Sequence, residues 1–362
     1  MTSTRAKKAT LKDVAKTAGV SIATVDRVMN NRAKVRPETK RLILDTYQKL
    51  LSTSAMELKG QPSTSVRALR FDFVLESSKP FVDSIIASVR HNAPLFKDFD
   101  ISLHTHEVPV PFVLEEFTRR LDMASKGSDG IVLVCREDPA ITACVNALSK
   151  RGVPVVCLTT DIADAVRLGY VGINHVSAGK TAGSLLGQFI GSQSGELILL
   201  LTGSFRCQYE RELGFRSIIR EAYPNLSVRE VYASQETNDD CFANLTHAFK
   251  TTANKPLGIY NTGGGTRGVA NAITSMGWDH KVLFVGHELN DTSLELMTTN
   301  RMTAVIGQDT KSEVAIAINA LLHHHKITST PPSFTPTAPL VFLKENIGPL
   351  ISDSFPMFYG KP

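Results

Sequence analysis

Residues 10–50 read TLKDVAKTAGVSIATVDRVMNNRAKVRPETKRLILDTYQKL. Apolar Leu11, Val14, Ala15 and Ala18 recur at helical spacing, which predicts a short amphipathic helix over 11–18. Gly19 can supply the left-handed turn that ends it. Ser21 carries the side chain of an N-cap for a second helix, with Val25 and Val28 on its inner face. Pro37 suits the first turn of a third helix whose core face is Leu42, Ile43, Tyr47 and Leu50. The small Ala15, the Gly19 turn and Val25 suit the close crossing of a helix-turn-helix, a motif that sets its second helix in the major groove of DNA.

Charge points the same way. Residues 1–60 hold 13 Lys or Arg against 5 Asp or Glu, a net of +8, whereas the whole chain is +5, which leaves −3 for residues 61–362. A basic excess confined to the helical end is the footprint of a phosphate-binding module on a neutral or acidic body. The plainer alternative is a basic, solvated tail on an ordinary three-helix unit.

Thr10-Leu11-Lys12-Asp13-Val14-Ala15, then Ala18-Gly19-Val20-Ser21, Thr24-Val25, Arg27-Val28 and Asn30 resemble the headpiece of the lac-repressor (LacI/GalR) family of bacterial transcriptional regulators. The resemblance implies that Leu11, Ser21, Ile22, Ala23, Thr24, Arg27 and Asn30 serve DNA binding. Ile22 and Ala23 would face base edges, Arg27 a base or phosphate one turn later, and Asn30 the helix end or the backbone. Asp26 departs from the small Ser usual there; a carboxylate repels phosphate, though it could accept from a cytosine amino group. Residues 52–54 shorten the usual link, while Ala55-Met56-Glu57-Leu58-Lys59-Gly60 resembles the hinge helix. Leu58 would then wedge into the minor groove; alternatively it packs on the body as part of a linker. Gln61-Pro62-Ser63-Thr64-Ser65 marks a boundary by composition. The expected organisation is 1–51 headpiece, 52–65 hinge and linker, and 66–362 a two-lobed ligand-binding and dimerisation body.

The remaining residues alternate strand-like and helical runs. Strands are expected at Leu69–Leu75, Ile101–His106, Gly130–Val134, Val153–Leu158 and Tyr170–Ile173, then at Glu196–Leu201, Val228–Tyr232, Leu257–Tyr260, Val282–Gly286 and Thr303–Gln308. Helices fall between them, one of them expected over Arg211–Ala222. That alternation predicts two α/β lobes with parallel sheets and a ligand cleft beyond the strands' carboxyl ends. It resembles the periplasmic sugar-binding-protein fold that the family uses as its sensor.

By that resemblance the ligand-binding residues are Phe81, Thr159, Asp161, Asn174, Arg211, Asn261 or Thr262, His287 and Gln308. Phe81 would stack on a sugar face. Arg211, ahead of Glu212-Leu213-Gly214-Phe215, has a planar fork able to donate to two hydroxyls or a carboxylate. The set is rich in donors and acceptors and poor in cations, which suits a neutral sugar or polyol better than a sugar phosphate.

The rival reading is an enzyme. Leu257–Tyr260 leads into Gly263, Gly265 and Gly268 at G-x-G-x-x-G spacing, with Glu288 twenty residues on, the context of a dinucleotide fingerprint. An NAD(P)-dependent oxidoreductase is therefore the alternative. Against it stand the motif's late position, the headpiece, and the sensor fold's own need for a tight turn there. His104 and His106 share a strand face without further ligand spacing, and His323–His325 reads as a solvated helix end. No catalytic residue, metal or cofactor is expected. Five cysteines lack metal-ligand spacing, no leader precedes the headpiece and no apolar run reaches membrane-spanning length, so the expected location is the cytoplasm. The expected partners are operator DNA, a small-molecule effector and a second copy of the chain, with no membrane.

Overall fold

The computed structural model describes residues 11–22, 24–25, 39, 42–43, 46, 68–109, 111–252 and 254–347. The chain divides into two compact units, residues 1–66 and 67–362. In the first, helix α1 (Leu11–Ala18) ends at Gly19, whose φ of 64° lies in the left-handed region. The Thr24 amide donates to Ser21 Oγ at 3.1 Å, so Ser21 is the cap its sequence suggests, and Ile22, Thr24 and Val25 are again helical. Val14, Ala15, Val25 and Ile43 form a small buried cluster, and Ile22 is half exposed. Ala23, Arg27, Asn30 and Leu58, all expected at DNA, lie outside the described residues, and so does the side chain of Leu11.

The second unit contains two sheets. The first comprises β1 (Leu69–Leu75), β2 (Ile101–Glu107), β3 (Gly130–Val134), β4 (Val155–Leu158) and β5 (Gly169–Val171), all parallel, in the order β2-β1-β3-β4-β5. Helices α2 (Lys79–Asn92), α3 (Leu114–Ser125) and α4 (Pro139–Lys150) connect them. The second contains β6 (Gly195–Leu201), β7 (Leu226–Tyr232), β8 (Gly258–Asn261), β9 (Leu283–His287) and β10 (Ala304–Gly307). A short strand, β11 (Leu340–Phe342), is antiparallel to β10, and the order is β11-β10-β9-β8-β6-β7. Helices α5 (His175–Ile190), α6 (Arg206–Ala222), α7 (Asn238–Lys250), α8 (Thr266–Ser275) and α9 (Asp291–Thr298) serve this lobe. Helix α10 (Thr310–His324) returns to the first lobe, where Val314, Ala317, Ile318 and Leu321 share a core with Phe71, Val132 and Val156.

Central strands covered on both faces read as continuous apolar runs, and all five residues of β3 are buried. The expected strands are all present, with ends shifted by a residue or two. β11 was not expected, because three residues after a long irregular excursion carry no periodicity. Three segments cross between the lobes, at 172–174, 308–309 and 325–339. Two of them join where the Asn174 amide donates to Thr337 O at 2.8 Å and the Thr337 amide to Gly172 O at 3.0 Å.

Backbone contact between α5 and α6 sets the position of Arg211. A Cβ on Gly179 would lie 1.9 Å from Arg211 O, and one on Gly214 would lie 2.0 Å from Val176 O. Only glycine allows that approach. Gly179→Ala is expected to cost about 1–3 kcal/mol through overpacking, read as a lower urea midpoint; an unchanged midpoint would mean that the helices separate without penalty.

Candidate functional site

Both sheets follow the doubly wound order in which connections leave in opposite directions from neighbouring strands, at β1/β3 in one lobe and β6/β8 in the other. Ligands in such sheets bind at that switch point, beyond the carboxyl ends of the strands. A cleft of about 480 Å³ lies there. It is lined by residues 77–81 after β1, 159–160 after β4, Phe205, Cys207, Gln208 and Arg211 after β6, 236–239 after β7, 263–267 after β8, and His287, Glu288, Asn290 and Thr292 at and after the end of β9.

Arg211 is the centre of the site. It is 3% exposed and its guanidinium is committed on several sides. Nε–H donates to His175 Nδ1 at 3.2 Å, Nη1–H donates to Thr262 O at 2.7 Å, and Nη2 lies 3.8 Å from Glu288 Oε1. The first bond fixes the His175 tautomer: Nδ1 is the acceptor, so Nε2 carries the proton and donates to Thr159 O at 2.6 Å. Burial, and then the neighbouring Arg211 charge, hold His175 well below the usual histidine range, and the same two causes act on His287.

Thr159 and Glu288 both adopt left-handed backbone, with φ of 65° and 66°. For a β-branched threonine this is a strained conformation. Hydrogen bonds hold it there: the Thr159 amide donates to Val171 O at 2.8 Å, and its carbonyl accepts from His175. Glu288 is fixed by its amide to Ile306 O at 2.9 Å and by Ser293 Oγ–H to its carbonyl at 2.9 Å. Its carboxylate accepts from Gln308 Nε2 at 2.9 Å. Burial pushes the Glu288 carboxyl up to about 7, against the pull of Arg211 and Gln308. Two buried polar atoms of cleft-lining residues, Thr159 Oγ1 and His287 Nδ1, have no protein partner.

Of the residues expected to bind ligand, Phe81, Thr159, Arg211 and His287 line the cleft together. The others stand behind its wall. Asp161 is turned to Arg167, with two contacts of 2.5 Å, because it follows Thr159 by two residues through a turn that carries it out of the cleft. Asn174 caps α5, its Oδ1 accepting from the Ser177 amide at 2.8 Å. Asn261 Nδ2 donates to Gly263 O and Gly264 O and so shapes the glycine loop, and Thr262 Oγ1 donates to Leu200 O. Gln308 lines a separate cavity of about 40 Å³ and reaches the cleft only through Glu288. Glu288, beside His287, lines the cleft as well, and so do Gln208 and Glu236, which no sequence motif marks.

The glycine run serves packing. A Cβ on Gly263 would lie 2.6 Å from Glu236 Oε1, one on Gly265 2.2 Å from Cys241 Sγ, and one on Gly268 2.0 Å from Asn238 O. Glu236 and the amino end of α7 pack against these three positions, so close packing accounts for the glycines without a dinucleotide. His106 contacts Asp72 Oδ1 at 2.6 Å. His325, at a helix end expected to be solvated, contacts Asp129 O at 2.6 Å. Among the described residues, no group of three or more His, Cys, Asp or Glu could hold a metal ion, and no helix is long and apolar enough to cross a membrane. All five cysteines are free; Cys207 borders the cleft, with burial pushing its thiol up to about 11.

Residues 10–50 match the lacI family of bacterial regulatory proteins, and residues 121–326 match the periplasmic binding protein domain. The sucrose operon repressor of Escherichia coli is 37% identical over 93 residues, 24% of this chain and 27% of that protein. The HTH-type transcriptional repressor PurR of Pasteurella multocida is 32% identical over 137 residues, 36% of this chain and 37% of that protein. The chain thus spans between about a quarter and just over a third of the length of these relatives. Both are named as repressors. Among solved structures, GanP, a glucose-galactose binding protein from Geobacillus stearothermophilus, superposes with a TM-score of 0.69 at 18% identity, covering 78% of this chain and all of that one. The chain belongs to the periplasmic binding protein domain family, and it carries ahead of that domain the helix-turn-helix of the lacI family of bacterial regulatory proteins.

Proposed function

We propose that this protein is a ligand-responsive, DNA-binding transcriptional regulator, a repressor controlled by a small neutral sugar or polyol bound in the cleft. The observation that carries the reading is one chain holding both a lacI-type helix-turn-helix and a cleft lined by unpartnered, buried polar atoms. Thr159 Oγ1, His287 Nδ1 and the Arg211–Glu288 pair offer donors and acceptors to hydroxyl groups, and Phe81 borders them with an apolar ring. Two copies reading an approximately palindromic operator fit the geometry of helix-turn-helix recognition. The effector acts by binding the two lobe arrangements with different free energies. The hinge over 55–60 transmits the change, with Leu58 as its minor-groove wedge.

A thermal-shift screen of the full chain with pentoses, hexoses, polyols, nucleosides, sugar phosphates and both nicotinamide cofactors tests the ligand class. A bound ligand raises the melting temperature. A shift with one sugar or polyol is the expected result; a shift with a nicotinamide cofactor alone would overturn it. For the DNA side, Arg27→Ala is expected to abolish specific operator binding while leaving effector affinity unchanged, and a normal footprint from that variant would reject the headpiece assignment.

A further inference from the structure

Glu236 does not follow from the proposed function, yet it is among the most heavily hydrogen-bonded side chains of the cleft. Oε2 accepts from Ser77 Oγ–H at 3.0 Å and from the Ser78 amide at 3.0 Å. Oε1 accepts from Gln208 Nε2–H at 2.7 Å and from the Gly264 amide at 3.2 Å. Ser77 and Ser78 follow β1 in the first lobe; Gln208, Glu236 and Gly264 belong to the second. The Gln208 amide orientation is fixed independently, because its Oε1 accepts from the Thr202 amide at 3.2 Å and so turns Nε2 toward Glu236. Four donors converge on one acceptor-only group, from both sides of the cleft.

We propose that Glu236 is an internal anion filling a donor cradle that spans the lobes, and that it thereby latches them and excludes acidic ligands from the cleft. The glycines agree with this role: a Cβ on Gly264 would lie 2.9 Å from Glu236 Cβ and 2.9 Å from Ser78 Cβ, so the glycine loop leaves room for this carboxylate. Surrounding charge reinforces the exclusion. Asp239 also lines the cleft, while the cations that line it are already paired, Lys79 with Asp83 and Glu107, Arg211 with Glu288 and Arg267 with Glu295. The ligand class this leaves is neutral, and that consequence rests on the proposed function; the latch itself does not.

Glutamine cannot replace the carboxylate. Each oxygen of Glu236 faces two donors, so either orientation of a glutamine amide at this position would set its NH₂ group against two of them. Alanine instead would empty the cradle for a small carboxylate. The test uses the full chain, hydrogen exchange of peptides spanning Ser78 and Gly264, and melting temperature, in sodium formate against equal sodium chloride. Wild type is expected to show the same protection in both salts. Glu236→Ala should exchange about tenfold faster or more at these amides, as for lost bonds to a charged group, and formate should restore protection and raise its melting temperature. Glu236→Gln should lose the same protection without any response to formate. Retained protection in either variant, or equal effects of formate and chloride on Glu236→Ala, would overturn the proposal. Should the alanine variant not fold, loss or retention of protection in Glu236→Gln decides it. None of these readouts involves effector or DNA, so they stand apart from the fate of the proposed function.

Discussion

Arg211→Ala is expected to destabilise the unit formed by residues 67–362 by about 3–5 kcal/mol, the usual cost of removing one member of a buried charged network. The guanidinium contacts His175, Thr262 and Glu288. Without it, His175 Nδ1 and Thr262 O lose their donor, and Glu288 loses the cation that opposes its burial. Effector binding should weaken at least about tenfold, the loss of a charge-assisted hydrogen bond. Arg211→Lys should not restore either property, since one ammonium on a flexible stem cannot replace three guanidinium nitrogens that each meet a different partner. Urea denaturation and calorimetry separate the two effects. Unchanged midpoint and affinity together would remove Arg211 from the site.

Glu288 should make the stability of the same unit depend on pH near neutrality. The unfolded carboxyl titrates at the usual 4.5 and the folded one at about 7. Between those values the folded chain holds the extra proton, so the stabilisation is complete below 4.5, falls as pH rises and is lost above about 7. The groups facing Glu288 are Arg211 from α6, Gln308 after β10, Glu236 after β7 and Glu313 in the first turn of α10. Burial likewise holds the Glu313 carboxyl well above the usual carboxylate range. Relative to Glu288→Gln, the wild type should lose about 2–3 kcal/mol between about pH 5 and pH 8. Parallel pH profiles for the two proteins would show that Glu288 does not change protonation on folding.

The lobes were legible because doubly covered strands are apolar throughout and their helices amphipathic. Gly130–Val134 is a clear instance, bounded as expected. The amino end of α6 was not: its helical periodicity begins at Arg211, whereas the helix starts at Arg206. The hidden turn carries Cys207 and Gln208, which line the cleft. Arg211 was recognisable by resemblance, but Glu236 was not, since a polar residue on a loop has no pattern to mark it until the fold brings Ser77 and Gly264 beside it. Residue choice at strand ends was least secure. Thr159 lines the cleft while Asp161 turns away to Arg167, because the chain changes direction within those three residues.

The return of α10 to the first lobe means that neither lobe is a contiguous length of chain. Phe71, Val132 and Val156 are covered in part by Val314, Ala317, Ile318 and Leu321, residues more than a hundred and fifty positions later. During synthesis, the first sheet therefore emerges with one apolar face covered only in part, by α2, and stays so until the second lobe has largely been made. The half that is translated first is completed last, and its unfinished face is the surface most in need of protection from association on the ribosome.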